Sequence, residues 1–507
     1  MEKMKKLLAV LSAVLCMGTA AGCSFDKQTA KTEQSSDAAE YAAANTETPE
    51  AETLSNVETE PDSEVSSAER KGAELSKADL NTEWGSNAVE IRFSDDKIES
   101  TADGVTVTDN AVRITKGGDY VLSGSRDHTA VIVDLADQKE KVHLVLNGLS
   151  LKTSDSAPIT VVQADKTVIT LADGTSNVLC DARAASTDES VPFACIASND
   201  DLTINGSGAL SVESKAGTGI QSSDDLKIAG GTVTVSAGKH GLRGNDSVLL
   251  HDGTLDISAD GDGIKSTNAE KEGKGWILAE GGTVTVHAQQ DGMDAASSLE
   301  ITGGTLDITA GSGAPETVKS EDSPFGGGFS FGRGKQDTQT DTEQSSSGSS
   351  KGIKAEAAVA VSGGTVTISA SDDAVHTNGD AVFSGDAVLT AASGDDGIHA
   401  DASLTFAGGD ICISKSNEGI EAAVITVSGG SVRVTAADDG VNASDGSGGG
   451  MGFSRNGTGT LTISGGYLYV NAVGDGLDSN GDIVMTGGTA VVCGPTSDFN
   501  GPLDSGD

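Results

Sequence analysis

Aromatic residues supply only 3% of this 507-residue chain, proline occurs 8 times, and 33 basic residues face 76 acidic ones. Few rings and few prolines beside 67 glycines suit many short strands joined by tight turns. The shortage of positive charge is the sharper exclusion. A formal net charge of −43 leaves nothing to neutralise phosphates, which excludes nucleic acid as a partner. It equally disfavours direct contact with an anionic polymer or surface, unless a cation bridges the two. Cysteine is sparse and unpatterned. Cys16 and Cys23 belong to the N-terminal segment, and Cys180, Cys195, Cys412 and Cys493 show no CxxC or Cys/His spacing that would hold zinc. Cys180 and Cys195 could pair across a loop, but free, buried thiols are the expectation. Long apolar runs are also rare, and the N-terminal one, Leu7 to Met17, is too short to span a membrane comfortably.

That run follows Lys3, Lys5 and Lys6 and precedes small residues, so Met1 to Gly22 reads as a signal peptide. Ala20-Ala21-Gly22-Cys23 is similar to a bacterial lipobox, with Cys23 as the lipidated mature N-terminus and alanine where leucine is usual. Simple secretion is the alternative, and either route takes the chain out of the cytoplasm. Residues 23–85 are rich in Ser, Thr, Ala, Glu and Asp, and the expectation is a disordered acidic tether. A second disordered piece is expected at 312–351. There Phe325, Phe329, Phe331 and Arg333 on glycine would form either a contact loop or a tolerated insertion.

From residue 86 to 507 a phrase recurs about every 22 residues: a Gly-Gly pair, an alternating strand, then an acidic residue, a glycine and an aliphatic. The second half falls at Gly219, Gly241, Gly263, Gly292, Gly352, Ala374, Gly397, Gly419, Gly440 and Gly476, with three gaps widened by inserted loops. In Thr232-Val233-Thr234-Val235 the valines face one side and the threonines the other, and Leu255/Ile257, Val366/Ile368 and Val432/Val434 repeat the pattern. A second short strand, such as Leu226-Lys227-Ile228, precedes each Gly-Gly pair. A unit this short cannot bury its own core, so stacking is required, and the prediction is all-β: a parallel β-helix solenoid of strand, Gly-Gly corner, strand and acidic corner. Propeller blades need about twice the length. The strand-rich stretch Val89 to Asp181 should supply the first coils and a cap over the open edge.

The acidic corners carry the chemistry. Asp372-Asp373-Ala374-Val375-His376-Thr377-Asn378, Asp395-Asp396-Gly397-Ile398-His399-Ala400-Asp401, Asn417-Glu418-Gly419-Ile420-Glu421 and Asp438-Asp439-Gly440-Val441-Asn442 follow one another. Stacking puts Asp373, Asp396, Glu418 and Asp439 in one column about 5 Å apart, His376, His399, Glu421 and Asn442 in a second, and Asn378 and Asp401 in a third. Carboxylates that close repel and call for solvation, raised pKa values or a bound cation. Oxygen-rich corners suit Ca²⁺, with Asp372, Asp373, Asn378, Asp395, Asp396, Asp401, Glu418, Asp438 and Asp439 as candidate ligands. Two histidines among so many oxygens do not make a zinc site. The alternative is a solvated corner in which Asp-Gly serves turn geometry.

The stretch from about Val89 to Leu503 resembles the bacterial surface carbohydrate-binding β-helix proteins of the clostridial cellulose- and pectate-binding type. The resemblance rests on GGDYVLSG (Gly117 to Gly124), ITLADGT (Ile169 to Thr175), DDLTINGSG (Asp200 to Gly208), SDDAVHTNGD (Ser371 to Asp380), SGDDGIHAD (Ser393 to Asp401), NEGIEA (Asn417 to Ala422) and DDGVNA (Asp438 to Ala443). Asn417 stands where an aromatic residue is expected, and the chain stops soon after GPTSDFNGPLD, where relatives tend to continue. The resemblance implies bound calcium, a pectate-lyase-like shape and affinity for acidic polysaccharides such as polygalacturonate. The expected function is calcium-dependent, non-catalytic binding of an acidic or plant cell-wall polysaccharide by an extracellular, surface-anchored monomer. His376, His399, Glu421 and Asn442 would face the ligand, and the membrane would be reached only through the lipid on Cys23. Scarce aromatics agree with this route, since stacked sugar platforms need rings, and the isolated Trp84 and Trp276 read as packing residues. Two alternatives stand. A β-elimination lyase would use calcium plus a Lys or Arg base, with Lys265 and Lys354 in the histidine column. A structural adhesin would use the acidic ladders for solubility alone.

Overall fold

The computed structural model describes residues 70, 72–100, 102–185, 193–318, 349–444, 458–496 and 500–506. All lie within one compact unit, Ser63–Asp507. The signal peptide, Cys23, most of the tether and residues 319–348 of the insertion, with Phe325, Phe329, Phe331 and Arg333, lie outside the described residues.

The architecture is an all-β parallel β-helix. Each coil has three strands, exemplified by Thr218–Ser222, Asp225–Ile228 and Thr232–Ala237, and each strand pairs in parallel with its counterpart in the next coil: Leu242–Gly244, Ser247–Leu250 and Thr254–Ala259. The two-strand coil expected from the sequence is corrected here. What reads as an acidic corner runs straight into a third strand of only three residues, too short to show a period of two. Following this strand from coil to coil gives one unbroken stack from Ala111–Ile114 to Leu503–Ser505, about 70 Å long at ~4.8 Å per rung. Antiparallel pairing is confined to the start, where Val89–Phe93 pairs with Ile98–Glu99 and Val105–Val107 with Ala111–Ile114. Val89 to Asp181 thus supplies the first coils, as expected.

Inward residues of all three strands stack into one aliphatic core. Ile220, Leu242, Ile264, Met293 and Ile353 form one such column, Leu226, Val248 and Ile277 another, and Val235, Ile257 and Val286 a third. Each fully buried Ile, Leu or Val contributes about 1.5–3 kcal/mol over its exposed state, so one coil inserts several such increments. Phe383 stacks on Phe406 inside the core, with ring centroids 5.4 Å apart. The second glycine of each Gly-Gly pair takes positive φ, as at Gly231 (93°) and Gly282 (77°), where a Cβ is disfavoured. Cys180 and Cys195 are not joined to each other; Cys195 is buried, Cys180 is half-buried, and Cys493 is exposed.

The tether is shorter than its composition suggests. Asp79 is fully buried, accepts from Lys166 Nζ at 2.8 Å and Thr203 Oγ1 at 2.6 Å, and its carbonyl accepts from Asn205. Lys227 Nζ donates to the Glu74 carbonyl, Arg70 pairs with Glu300, and Ala73 and Leu75 pack against Leu249, Trp276 and Leu278. Residues 72–81 are therefore an ordered strap across the middle strands. A few buried polar pairs and two apolar contacts hold it, too weak a signal to stand out in a Ser/Glu-rich segment. Trp276 is packed as expected, whereas Trp84 is 39% exposed. The roots of the expected 312–351 insertion are likewise packed: the Ser312 and Ala314 amides donate to Ser371 and Ser369 Oγ, and Lys351 reaches Asp373.

Candidate functional site

The three-residue strand and the corner before it create one polar ladder along the rod. Its outer column reads Gln221, Arg243, Lys265, Asp294, Lys354, His376, His399, Glu421, Asn442, Asp478 and Asp504 in continuous register. The corner column reads His240, Asp262, Asp291, Lys351, Asp373, Asp396, Glu418, Asp439 and Asp475. It is locked by backbone hydrogen bonds: Gly241, Gly263, Gly292, Gly352, Ala374, Gly397, Gly419 and Gly440 each donate to the carbonyl of the corner residue one coil on, at 2.9–3.0 Å. Glycine is required there by close approach. A Cβ on Gly263 would lie 2.2 Å from Val286 Cγ1 and 2.6 Å from the Gly292 carbonyl.

The corner carboxylates also serve structure. Asp262, Asp291, Asp373, Asp439 and Asp475 each accept, through Oδ1, the backbone N–H one rung later. This fixes each side chain and leaves Oδ2 for another partner. Asp373 Oδ2 takes His376 Nδ1 at 2.9 Å and Lys351 Nζ at 2.5 Å. Asp262 Oδ2 takes Lys265 Nζ at 2.7 Å, and Lys265 also reaches Asp294 at 2.7 Å. Asp396 Oδ2 meets His399 Nδ1 at 2.9 Å, while Glu421 lies 3.2 Å from the same nitrogen. The two histidine rings stack at 5.0 Å, and their Nε2 atoms face Asn378 and Asp401 Oδ1 at 3.0 Å each.

The predicted site residues thus share one ladder. Asp372, Asp373 and Asp395 bring ligand atoms within 4.8 Å of one another, as do Asp396, His399 and Glu421. Asp439 clusters instead with Asp475 and Asp478, and a further group joins Asp262, Asp291 and Asp294. Those five additional carboxylates were not expected as ligands: single Asp-Gly corners such as Asp262-Gly263, Asp291-Gly292 and Asp475-Gly476 read as turn geometry, unlike the doubled Asp-Asp runs. Glu418 belongs to none of these groups: Asn442 Nδ2 donates to its Oε2 at 2.9 Å. Asn378 and Asp401 act at the outer rim through the histidines, and Asp438 sits beside Asp439.

Electrostatics divides the ladder. Burial alone would raise Asp262 and Asp373, but His240 and Lys265 hold the first, and His376 and Lys351 the second, well below the carboxylate range. Further along, burial and neighbouring acids win. Burial, with Glu421 and Asp396 nearby, pushes Glu418 up to about 8. Burial, then Asp438, Asp475 and Asp478, takes Asp439 to about 7, and burial with Asp475 and Asp504 takes Asp478 to about 6. Asp396 is pushed upward by burial and by Asp373, and Asp291 rises to about 6 through burial and Asp262. Burial would lower His399, but Asp396 and Glu421 carry it up to about 11. The carboxylates exceed the cations that could offset them.

Two stretches, residues 108–397 and 379–498, match the carbohydrate-binding domain-containing protein family. The chain belongs to this family. A carbohydrate-binding domain-containing protein of Acetivibrio thermocellus is 43% identical over 225 residues, spanning 44% of this chain and 78% of that protein. A solved structure, described as the polysaccharide lyase-like protein from C. thermocellum in a gadolinium derivative, is 38% identical; the match covers 43% of this chain and 94% of that one, with a TM-score of 0.41. In this carbohydrate-binding domain the family match takes in the corners from Asp262 to Asp478, so the acid-rich ladder lies within the region that defines membership.

The residues present fit a hard cation. Three of the four clusters offer only carboxylate oxygens, the donor type calcium takes. Asn417, between Asp395 and Asp438 in the stack, has a buried Oδ1 without a hydrogen-bond partner, although it was not among the expected ligands. An orphaned buried oxygen beside crowded carboxylates is what an oxygen-coordinated ion would satisfy.

Proposed function

We propose that this protein binds an acidic polysaccharide, polygalacturonate-like or another plant cell-wall glycan, through Ca²⁺ held on the ladder, without catalysis. The observation that carries the reading is the alignment of four acid-rich clusters, three of them carboxylates alone, on one face of a protein whose net charge is −43. A bare face of this kind would repel a polyuronate. A face loaded with cations would instead offer positive charge at the regular interval of the coils. Asp372, Asp373, Asp395 and Asp396, Asp262 with Asp291 and Asp294, and Asp439 with Asp475 and Asp478 would hold the ions. Bound there, calcium would neutralise carboxylates that otherwise resist ionisation and accept oxygens from the sugar. His376, His399, Glu421 and Asn442 line the outer edge and would orient the chain. Further support comes from the family to which the chain belongs and from the low aromatic content of the sequence, 3%.

The lyase alternative needs an unengaged base. Lys265 Nζ is held by two carboxylates at 2.7 Å each, and Lys354 Nζ lies 3.7 Å from Glu356 Oε1, so both lysines of the histidine column face acids, which supports a binding role over proton abstraction. The expected setting is the bacterial surface, with a lipid on Cys23 as the membrane attachment and a monomer as the working unit. Absorbance of unsaturated product on polygalacturonate with added calcium tests the non-catalytic claim, and appearance of that product would assign the lyase reaction instead.

A further inference from the structure

Among the described residues, arginines are consistently partnered. Arg70 pairs with Glu300, Arg92 with Glu90, Arg113 with Asp134, Arg183 with Asp181 and Arg433 with Asp410, and Arg126 donates to the carbonyls of Ser94, Asp95 and Asp109. Arg243 departs from this pattern. Its one contact is a 3.5 Å approach of Nη2 to Thr267 Oγ1, and its Nε is buried without a partner. Among the described residues it forms no ion pair, in a chain with more than twice as many acids as bases, and burial lowers its pKa. The flanking rungs do not supply one. Gln221 on one side is neutral, and on the other Lys265 engages both Asp262 and Asp294.

A half-buried guanidinium with idle donors is costly to maintain and is shaped to receive a carboxylate bidentately. Arg243 also stands in the ladder's outer column, one rung before Lys265 and two before Asp294 of the first carboxylate cluster. We propose that Arg243 is the receptor for a uronate carboxylate at the N-terminal end of the ladder, taking the acid directly where the later rungs would need a bridging cation. This rests on the acidic-polysaccharide reading above and assigns it a polarity: direct capture at Arg243, cation-mediated capture from Asp262 onward. In this role Arg243 would hold the carboxylate through its guanidinium N–H donors.

The test is calorimetric titration of the full-length protein with an oligogalacturonide and with its methyl ester, each in calcium and in EDTA, for wild type, Arg243→Gln and Arg243→Lys. The expected result is a roughly 10- to 100-fold loss of affinity for the acid in Arg243→Gln. A smaller loss is expected in Arg243→Lys, which keeps the charge but not the fork, and no change for the methyl ester. Equal affinity of wild type and Arg243→Gln, with binding still abolished by EDTA, overturns the Arg243 receptor and leaves the calcium reading intact. Loss in Arg243→Gln with binding indifferent to EDTA supports the receptor and overturns calcium bridging. Failure of wild type to bind the acid under any condition overturns both. Circular dichroism of both variants keeps misfolding from passing as lost binding.

Discussion

The close-approach glycines make the coil geometry testable by a compensating pair. A Cβ on Gly219, Gly241, Gly263 or Gly397 would lie 2.2–2.5 Å from a methyl of Val235, Ile257, Val286 or Ile413 respectively. Carbon pairs are comfortable at about 3.5–4.0 Å, so alanine cannot coexist there with a branched neighbour. In the same column Ala374 does carry a Cβ, and the position facing it holds Ala391, which pairs in register between Ile368 and Ile413. Both alanines are fully buried. The repeat has therefore exchanged bulk between two faces of one coil. Ala391→Ile should drive a methyl into Ala374 and cost about 1–3 kcal/mol as overpacking. Ala374→Gly alone should cost about 0.5–1 kcal/mol through backbone entropy. The double variant should recover most of the Ala391→Ile loss, giving a favourable coupling of about 1–2 kcal/mol. Solenoids open coil by coil, so the assay is urea-dependent hydrogen exchange at Val375 and Ala391, with the global urea midpoint read alongside. If Ala391→Ile proves as stable as wild type, or if Ala374→Gly worsens it, the packing argument fails.

Other outcomes follow from the charges. Asp79→Ala should leave Lys166 buried with only the more distant Asp201, 3.6 Å away, and release residues 72–81, seen as new proteolytic cleavage there, with little change in the rod's circular dichroism. The pH dependence of the strap follows the same pair. Burial opposes ionisation of Asp79, but Lys166 and Thr203 lower it to about 2, so the strap's stabilisation is complete above about pH 4 and is lost as pH falls through about 2. The ladder has the opposite sign. Glu418, Asp439 and Asp478 are raised in the folded state, so the metal-free protein should lose stability as pH rises from about 4 to about 8. Calcium should restore the urea midpoint more at pH 8 than at pH 5 and should release protons on binding, measurable by calorimetry in buffers of different ionisation enthalpy.

Much of this was legible in the chain because a β-helix writes its register into its repeat. The spacing of Asp373, Asp396, Glu418 and Asp439 placed them in one column, and the alternation around Val233 and Val235 separated core from surface. The third strand was not legible, since Leu242–Gly244 and its counterparts are three residues long and adjoin a glycine that masks any alternation. The register of Gly292, Gly352 and Gly476 was legible across the inserted loops, but Asp291 and Asp475 stand in single Asp-Gly corners that read as turn geometry, so the ladder's extension to Asp291, Asp475 and Asp478 was missed. Lys351 shows the limit of the pattern: its place before Gly352 was visible, but only the structure reveals that its ammonium offsets Asp373. The strap around Asp79 was hidden for a different reason. Its order depends on Lys166, Thr203 and Asn205, far away in sequence, and no local composition records that.

The central claim is that cations on the ladder turn an acidic face into a receptor for an acidic glycan. The most direct test is calorimetric titration of polygalacturonate into the full-length protein at neutral pH, in calcium, in EDTA, and for Asp373→Ala with Asp396→Ala in calcium. Binding in calcium that disappears in EDTA and weakens at least tenfold in the double variant is the predicted result. Binding of equal strength in EDTA, or unchanged by removing both carboxylates, would contradict it.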